Sequence, residues 1–487
     1  MGNEHTVPIE IPLWGRFEKT FNQTTSLRDP YASTDFYAEF TGPSGKKRFV
    51  YGFYDGENLW KIRFMPDEVG PWIFQGSFGH LGSFSGNFLC VPSDIPGPLR
   101  PFAENPFWFA YGNGKPFLMR SLHVGDLFLA QNWPESERMS FLEWFQEAGY
   151  DTLSIASFLQ NRGEYGRGIG WDTPRLWPLK AEEWQALEKI LDELAARRIV
   201  VYPFAGFFGR EAYNPNSVRG IYTYIRYALA RLSSYWNLIW NVGGPEPLLR
   251  SNPYMTRAEV LALATLIKQY DPSDHLLSVH NQTGDDEFQD DLIFDYSTLQ
   301  GPKTVNRMEL RKALLLNRKR LRPLYAQETL WPGNIHGHPP YTEDDIRRNS
   351  VVLLMSGASI NFADHNGDSS SGFSGALRPE LRNAARHDIM KAVWDFFESI
   401  PFQEIKPMDE MVSVGFCSGK KDEFYLVYFE KEMKTCLHLG EGNYKVTWIR
   451  AGNDFSCRDG GIAKGTVTLT APTEQHWLAL VQKDRCT

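Results

Sequence analysis

Cysteine is scarce and scattered in this sequence. The chain has 487 residues and five cysteines, Cys90, Cys417, Cys436, Cys457 and Cys486, an odd number with no Cys-x-x-Cys pair. Neither a disulfide framework nor a cysteine-ligated zinc site is indicated, and free thiols in a reducing compartment are the simplest account. No apolar run approaches the ~20 residues that a membrane-spanning helix needs. The first eight residues, MGNEHTVP, carry neither a basic n-region nor an apolar h-region. A cytoplasmic chain without a membrane partner is therefore expected. An excess of basic charge is also missing: 51 Lys+Arg against 59 Asp+Glu give a net charge of −8. With no basic stripe, nucleic acid is not expected as a partner. No Gly-x-Ser-x-Gly elbow, Gly-x-Gly-x-x-Gly or Walker loop, internal repeat or low-complexity tract occurs. Acyl-transfer hydrolysis and nucleotide binding thus lack their usual signatures.

Aromatic rings, by contrast, make up 14% of the chain, and they can build a large core or floor a sugar site. From Val7 to about Pro101 the apolar pattern has a period near two, broken by Gly, Pro, Asp and Asn. That predicts an N-terminal antiparallel β-sandwich over residues 1–101. Its segment RFMPDEVGPW, from Arg63 to Trp72, reads as strand, turn and strand with a buried tryptophan. Around Asn105 the rhythm changes, and strands are expected at Pro116–Leu122, Thr152–Ala156, Val200–Phe204, Leu238–Val242, Leu276–His280, Leu292–Tyr296, Leu324–Gln327 and Ser359–Ala363. Amphipathic stretches separate them, such as the face made by Trp184, Leu187, Ile190, Leu191 and Leu194. Thr342 reads as a helix N-cap and Asp271-Pro272 as a helix stop. Eight strands with intervening helices match an α/β fold, a (β/α)8 TIM barrel over residues 102–400, with a doubly wound open sheet as the rival. Alternation returns after Pro401 and predicts a small C-terminal β-sandwich over 401–487.

Two stretches carry the chemistry. NLIWNVGGPEP, Asn237 to Pro247, is a short apolar strand whose end delivers Glu246; LYAQE, Leu324 to Glu328, ends in a second carboxylate before TLWPG breaks the strand. Two carboxylates at strand tops are what glycoside hydrolysis needs, ~5 Å apart for retention or ~6.5–9.5 Å for inversion. The competing accounts are a structural ion pair for Glu328 and a solvated loop side chain for Glu246. Asp126 follows the first strand, and Asp364 and His365 follow the eighth, so each can line the same cleft; the alternative is a turn or cap. Asp126 is the substitute acid should Glu246 fail. His123 and Asn241 are further candidates for substrate binding at strand ends, Tyr296 for a hydrogen bond to the nucleophile, and Trp331 and Trp171 for sugar stacking. The pair His336 and His338 has no third ligand beside it, and the acidic loop from Asp285 to Asp291 lacks the order of a calcium loop. No metal or other cofactor is expected, and the partner is a carbohydrate substrate, with homo-oligomerisation left open.

Three segments carry a resemblance. RFMP and GPW, from Arg63 to Trp72, resemble the N-terminal β-sandwich of many bacterial glycosidases. FLMRS with Gly125 and Asp126 is similar to the first strand and turn of apiosidase-like barrels, and GNYKVTW, Gly442 to Trp448, to their small collagen-binding-type C-terminal sandwich. The resemblance implies a clan A type retaining glycoside hydrolase with Glu328 as nucleophile and Glu246 as acid/base. One departure stands out: Gly243-Gly244-Pro245 precedes Glu246, which arrives one place late. A displaced acid motivates the rival reading of a non-catalytic carbohydrate-binding or scaffold protein. A polysaccharide lyase, with a base such as His123 or His280 and arginines to neutralise a uronate, is the other rival.

Overall fold

Alternation between Phe17 and Val91 puts every second side chain on a shared inner face, and two sheets result. The structure, a computed structural model, describes residues 9–23, 29–79, 82–124, 126–155, 176–209, 215–244, 247–248, 253–282, 287–331, 341–363, 375–431, 433–452, 455–473 and 476–484. One N-terminal sheet runs Glu10–Pro12, Ser83–Val91, Gly70–Phe78, Phe36–Thr41, Lys47–Tyr51, and the other Phe17–Asn22, Leu59–Phe64, Phe53–Tyr54. Pairing is antiparallel, except that Glu10–Pro12 lies parallel to its neighbour. Phenylalanines fill the core, with Phe40 stacked on Phe64 at 4.2 Å and Phe17 on Phe88 at 4.8 Å between centroids. Trp72 is fully buried, as its segment predicted, and its indole donates to the Glu68 carbonyl at 2.9 Å.

Past Phe102 the chain is mixed α/β. Seven parallel strands stand in the order Val200–Pro203, Thr152–Ile155, Arg120–Val124, Ala358–Phe362, Leu324–Leu330, Ser297–Gln300, His280–Gln282. Trp240–Asn241 pairs in parallel with Leu277–Ser278, and Val201 forms a parallel bridge to Leu238. Burial on both faces is what a parallel sheet covered by helices requires. Odd and even residues divide the work. Leu122, Leu153, Val201, Ala326 and Ile360 face the packed helices, while Met119, Val200, Tyr202, Leu276, Tyr296 and Tyr325 share a separate interior cluster. Phe109 and Phe117, from short antiparallel strands that precede the parallel ones, complete that cluster. Asp271 ends helix Arg257–Tyr270, and Thr342 with Asp345 makes a capping box on helix Glu343–Met355, as expected.

The sixth strand lies later than expected. It is Ser297–Gln300, not Leu292–Tyr296, and Leu292 is 81% exposed. Asp295 decides this: its carboxylate accepts the Leu277 N–H at 2.8 Å and pairs with Lys268, holding the apolar run as an edge segment. The polar strand tolerates burial because Thr298 bonds Ser278 of the neighbouring strand at 2.7 Å.

The C-terminal residues form a six-stranded antiparallel sheet from Lys406–Pro407 to Cys457–Ala463 and a two-stranded one, Lys434–His438 with Thr466–Thr470. Buried guanidiniums join the parts. Arg63 of the N-terminal sheet and Arg231 of helix Val218–Leu232 both grip Glu188 of helix Ala181–Ala196, at 2.8 and 2.6 Å. Arg311 of helix Arg307–Leu316 reaches Asp409 at 2.7 Å and the Ser418 hydroxyl at 3.1 Å. Among the described residues no helix is long and apolar enough to cross a membrane.

Candidate active site

Polar residues replace aromatic ones toward the C-terminal ends of the parallel strands. Ser121 bonds the Tyr325 hydroxyl at 2.7 Å and donates to the Asn361 side-chain oxygen Oδ1 at 2.8 Å. One layer further, the Gln327 amide donates to the Ser154 hydroxyl at 3.1 Å, whose oxygen also lies 3.0 Å from His123 Nδ1. The Asn361 amide donates to the Gln327 carbonyl at 2.8 Å. These bonds tie the first, second, seventh and eighth strands into one rigid polar layer beneath the cleft.

Glu328 stands directly above it. The pairing register between the seventh and eighth strands is interrupted between Ala326 and Leu330, and such an irregularity re-aims a side chain. Glu328 thereby escapes strict alternation and turns toward the interior, 4% exposed, with one carboxylate oxygen 3.6 Å from His280 Nε2. That distance is too long for a hydrogen bond. His280 is fully buried, and burial first, with Lys303 nearby adding to it, pushes its imidazole down to about 3. The ring is neutral at physiological pH, so its contact with Glu328 is dipolar and not an ion pair. Phe204 stands between the two imidazoles, its ring 5.1 Å from His123 and 4.8 Å from His280.

The fourth strand needs glycine here. A Cβ on Gly244 would lie 2.6 Å from the His280 Cβ and 2.9 Å from the Phe204 carbonyl. Gly206, at φ +67, would put one 2.1 Å from the Asn241 carbonyl. Both glycines let backbone pass close to His280 and to the Asn241 main chain. Asn241 is fully buried, and its amide donates to the Phe204 carbonyl at 2.7 Å. Trp331 ends the seventh strand segment, 5% exposed, with the Lys303 ammonium 4.2 Å over its ring.

The structure therefore gathers Glu328, His123 and Asn241 at one end of the strands, and Trp331 directly follows the strand that carries Glu328. Tyr296 is not among them. It precedes its strand, its hydroxyl donates to the Trp240 carbonyl at 2.8 Å, and its ring meets Phe109 at 5.7 Å in the opposite, aromatic end. The misplaced sixth strand caused that error. Asp126 begins a short 3-10 helix, Asp126–Leu129, just after the first strand. Glu246, Trp171, Asp364 and His365 lie outside the described residues, as do His336, His338, Asp285 and Asp286. Among the described residues no three His, Cys, Asp or Glu side chains converge as a metal site would require. His280 and Lys303 were not chosen as substrate contacts from the sequence. His280 carried a signal, two residues after the inward-facing Ser278; Lys303 carried only its place after Gly301-Pro302 at the end of the sixth strand.

Residues 104–361 match the family described as "Apiosidase-like, catalytic domain", and residues 10–79 match a domain of unknown function, DUF5060. A Bacteroides vulgatus protein named a "putative glycoside hydrolase" superposes with a TM-score of 0.78 at 19% identity, over 98% of this chain and all of that one. A glycoside hydrolase family 5 protein from the same organism gives 0.63 at 17% identity, over 80% of this chain and 95% of its own. At these identities the likeness is one of fold. No curated protein matches the chain.

Proposed function

The chain belongs to the apiosidase-like family, and from that premise we propose that it hydrolyses a glycosidic bond in an oligo- or polysaccharide by retention, through Glu328 and Glu246. The observation that carries the reading is the placement of Glu328: a carboxylate turned inward by a break in strand register, beside a neutral histidine at the C-terminal end of parallel strands. In this kind of fold that end carries the chemistry.

In the proposed mechanism a Glu328 carboxylate oxygen attacks the anomeric carbon while Glu246 gives its proton to the leaving oxygen. The glycosyl ester on Glu328 is then hydrolysed by water, whose proton returns to Glu246. His280, neutral, adds no positive charge beside Glu328, and the layer of Ser154, Gln327 and Asn361 fixes the strand that carries it. Trp331 and Lys303 floor a neighbouring sugar subsite.

The same reading takes the parallel strands as a closed (β/α)8 barrel over 102–400 between sandwiches over 1–101 and 401–487. Support comes from the pairings: beyond the seven-stranded sheet, Val201 to Leu238 and Trp240–Asn241 to Leu277–Ser278 supply the links that closure needs.

The test is product release from a panel of oligosaccharides and aryl glycosides by the wild type, Glu328→Gln, Glu246→Gln and Glu328→Ala with added azide. Cleavage lost in Glu328→Gln, and a glycosyl azide formed by Glu328→Ala, support the nucleophile. Full activity in Glu328→Gln sinks the reading; activity retained only in Glu246→Gln moves the acid role to another residue.

A further inference from the structure

The outer face of the five-stranded N-terminal sheet has a composition that a bland solvent face does not need. Phe49 is 48% exposed there, stacked on Tyr37 at 5.1 Å and meeting Tyr51 edge-on at 5.0 Å. The register continues the row: Phe49 stands opposite Glu39, Glu39 opposite Gln75, and Gln75 opposite Ser85. Four strands at ~4.8 Å each make this a shallow platform roughly 14 Å wide, with rings at one side and an amide and hydroxyls at the other. The opposite face of the same sheet is closed into its phenylalanine core, so these side chains have no inward role.

We propose that this face binds an uncharged polysaccharide chain, at a site separate from the cleft of Glu328. Charge selects the occupant. The single carboxylate of the row, Glu39, is neutralised by Lys47 at 2.7 Å, leaving a surface of no net charge that offers ring faces beside hydrogen-bonding groups. A polyhydroxylated chain with apolar C–H faces matches both halves: Phe49, Tyr37, Tyr51 and Ile73, 59% exposed, give apolar contact, and Gln75 and Ser85 give hydrogen bonds. Continuity supports the same occupant. Tyr51 meets Tyr270, at the end of helix Arg257–Tyr270, at 5.5 Å, so the aromatic strip runs from the sheet onto the unit that holds Glu328. A chain held on the strip stays tethered to the protein whether or not Glu328 is catalytic.

Affinity electrophoresis of Glu328→Gln protein through gels containing arabinoxylan, galactomannan or mixed-linkage β-glucan tests this, with polygalacturonate as the charged control. At least one neutral polysaccharide is expected to slow the protein. Phe49→Ala, and separately Tyr37→Ala, in the same background should weaken that retention about tenfold or more with an unchanged urea midpoint. Retention by none of the three neutral polymers, retention only by polygalacturonate, or equal retention after Phe49→Ala each overturns the proposal. So does conversion of a dimer to a monomer by Phe49→Ala in sedimentation without change in retention, which would make the face an interface between copies.

Discussion

Glu188 and Glu328 are almost equally buried, at 5% and 4% exposure, and their neighbours separate them. Glu188 lies between two guanidiniums: Arg63 donates to both of its oxygens at 2.8 and 3.1 Å, and Arg231 does the same at 2.6 and 2.8 Å. Burial pushes its carboxyl up, but the two arginines outweigh burial and hold it below the usual carboxylate range. Asp55 and Tyr227 satisfy the rest of the Arg231 fork, at 2.7 and 3.0 Å. Every charge in that cage is answered, which welds the N-terminal sheet to two helices and leaves no group poised for a reaction. Glu328 instead faces, at 3.6 Å, an imidazole that burial keeps neutral. Burial of an acid is therefore not a mark of function; the charge state of its neighbours is the more telling observation.

Replacement breaks the comparison most sharply. Glu328→Gln should lower kcat/KM by ~10⁴-fold, roughly 5 kcal/mol of transition-state stabilisation, with the urea midpoint unchanged or raised. Glu188→Ala should do the reverse. It removes the anion that two buried guanidiniums share, leaving Arg63 with Glu18 at 2.8 Å and Arg231 with Asp55 at 2.7 Å, and should cost about 3 kcal/mol in urea unfolding, while kcat/KM per folded molecule stays within about twofold. The triple change Arg63→Met, Glu188→Leu, Arg231→Met should recover part of that loss, because both guanidiniums leave with their shared anion and buried Asp55 keeps Lys61 at 2.8 Å. If the triple variant is no better than Glu188→Ala, the cage does more than satisfy its own charges.

Acid sharpens the contrast from the other side. The folded value of His280, about 3, lies below its unfolded value near ~6.5, so the unfolded chain takes up the proton first. Its contribution is complete above ~pH 6.5 and is lost as pH falls from there toward about 3, with a slope of at most ~1.4 kcal/mol per pH unit. His280→Gln should flatten urea midpoints measured across that window; an unchanged slope would mean that the ring is charged in the folded protein. The smallest effect belongs to Trp331→Ala, which should raise KM several-fold, about 1 kcal/mol, with kcat nearly unchanged. A fall in kcat alone would show that Trp331 positions Glu328 and does not floor a subsite.

Much of this was legible before any coordinates. Strands such as Leu324–Leu330 and Ala358–Phe362 were visible as short segments between helical stretches, and the carboxylate within the first is visible in the letters. The sixth strand was not legible, because Ser297-Thr298-Leu299-Gln300 is largely polar and is buried between paired strands, with Thr298 bonding Ser278 of its neighbour. Tyr296 was assigned to the wrong end of the strands for the same reason. Glu188 passed unnoticed on the apolar face of its helix, since its partner Arg63 stands 125 residues earlier.

By itself the sequence determined the order and type of most elements, the two β regions flanking an α/β centre, and Glu328 as the carboxylate to watch. Period, turn residues and helix caps are local, so they are written in neighbouring residues. The tertiary structure decided that Glu188 is caged by two arginines, where the sixth strand begins, and that His280 meets Glu328 as a neutral ring. Those outcomes depend on burial and on charges brought together from distant segments, and a charge changes its meaning only once the fold has chosen its neighbours.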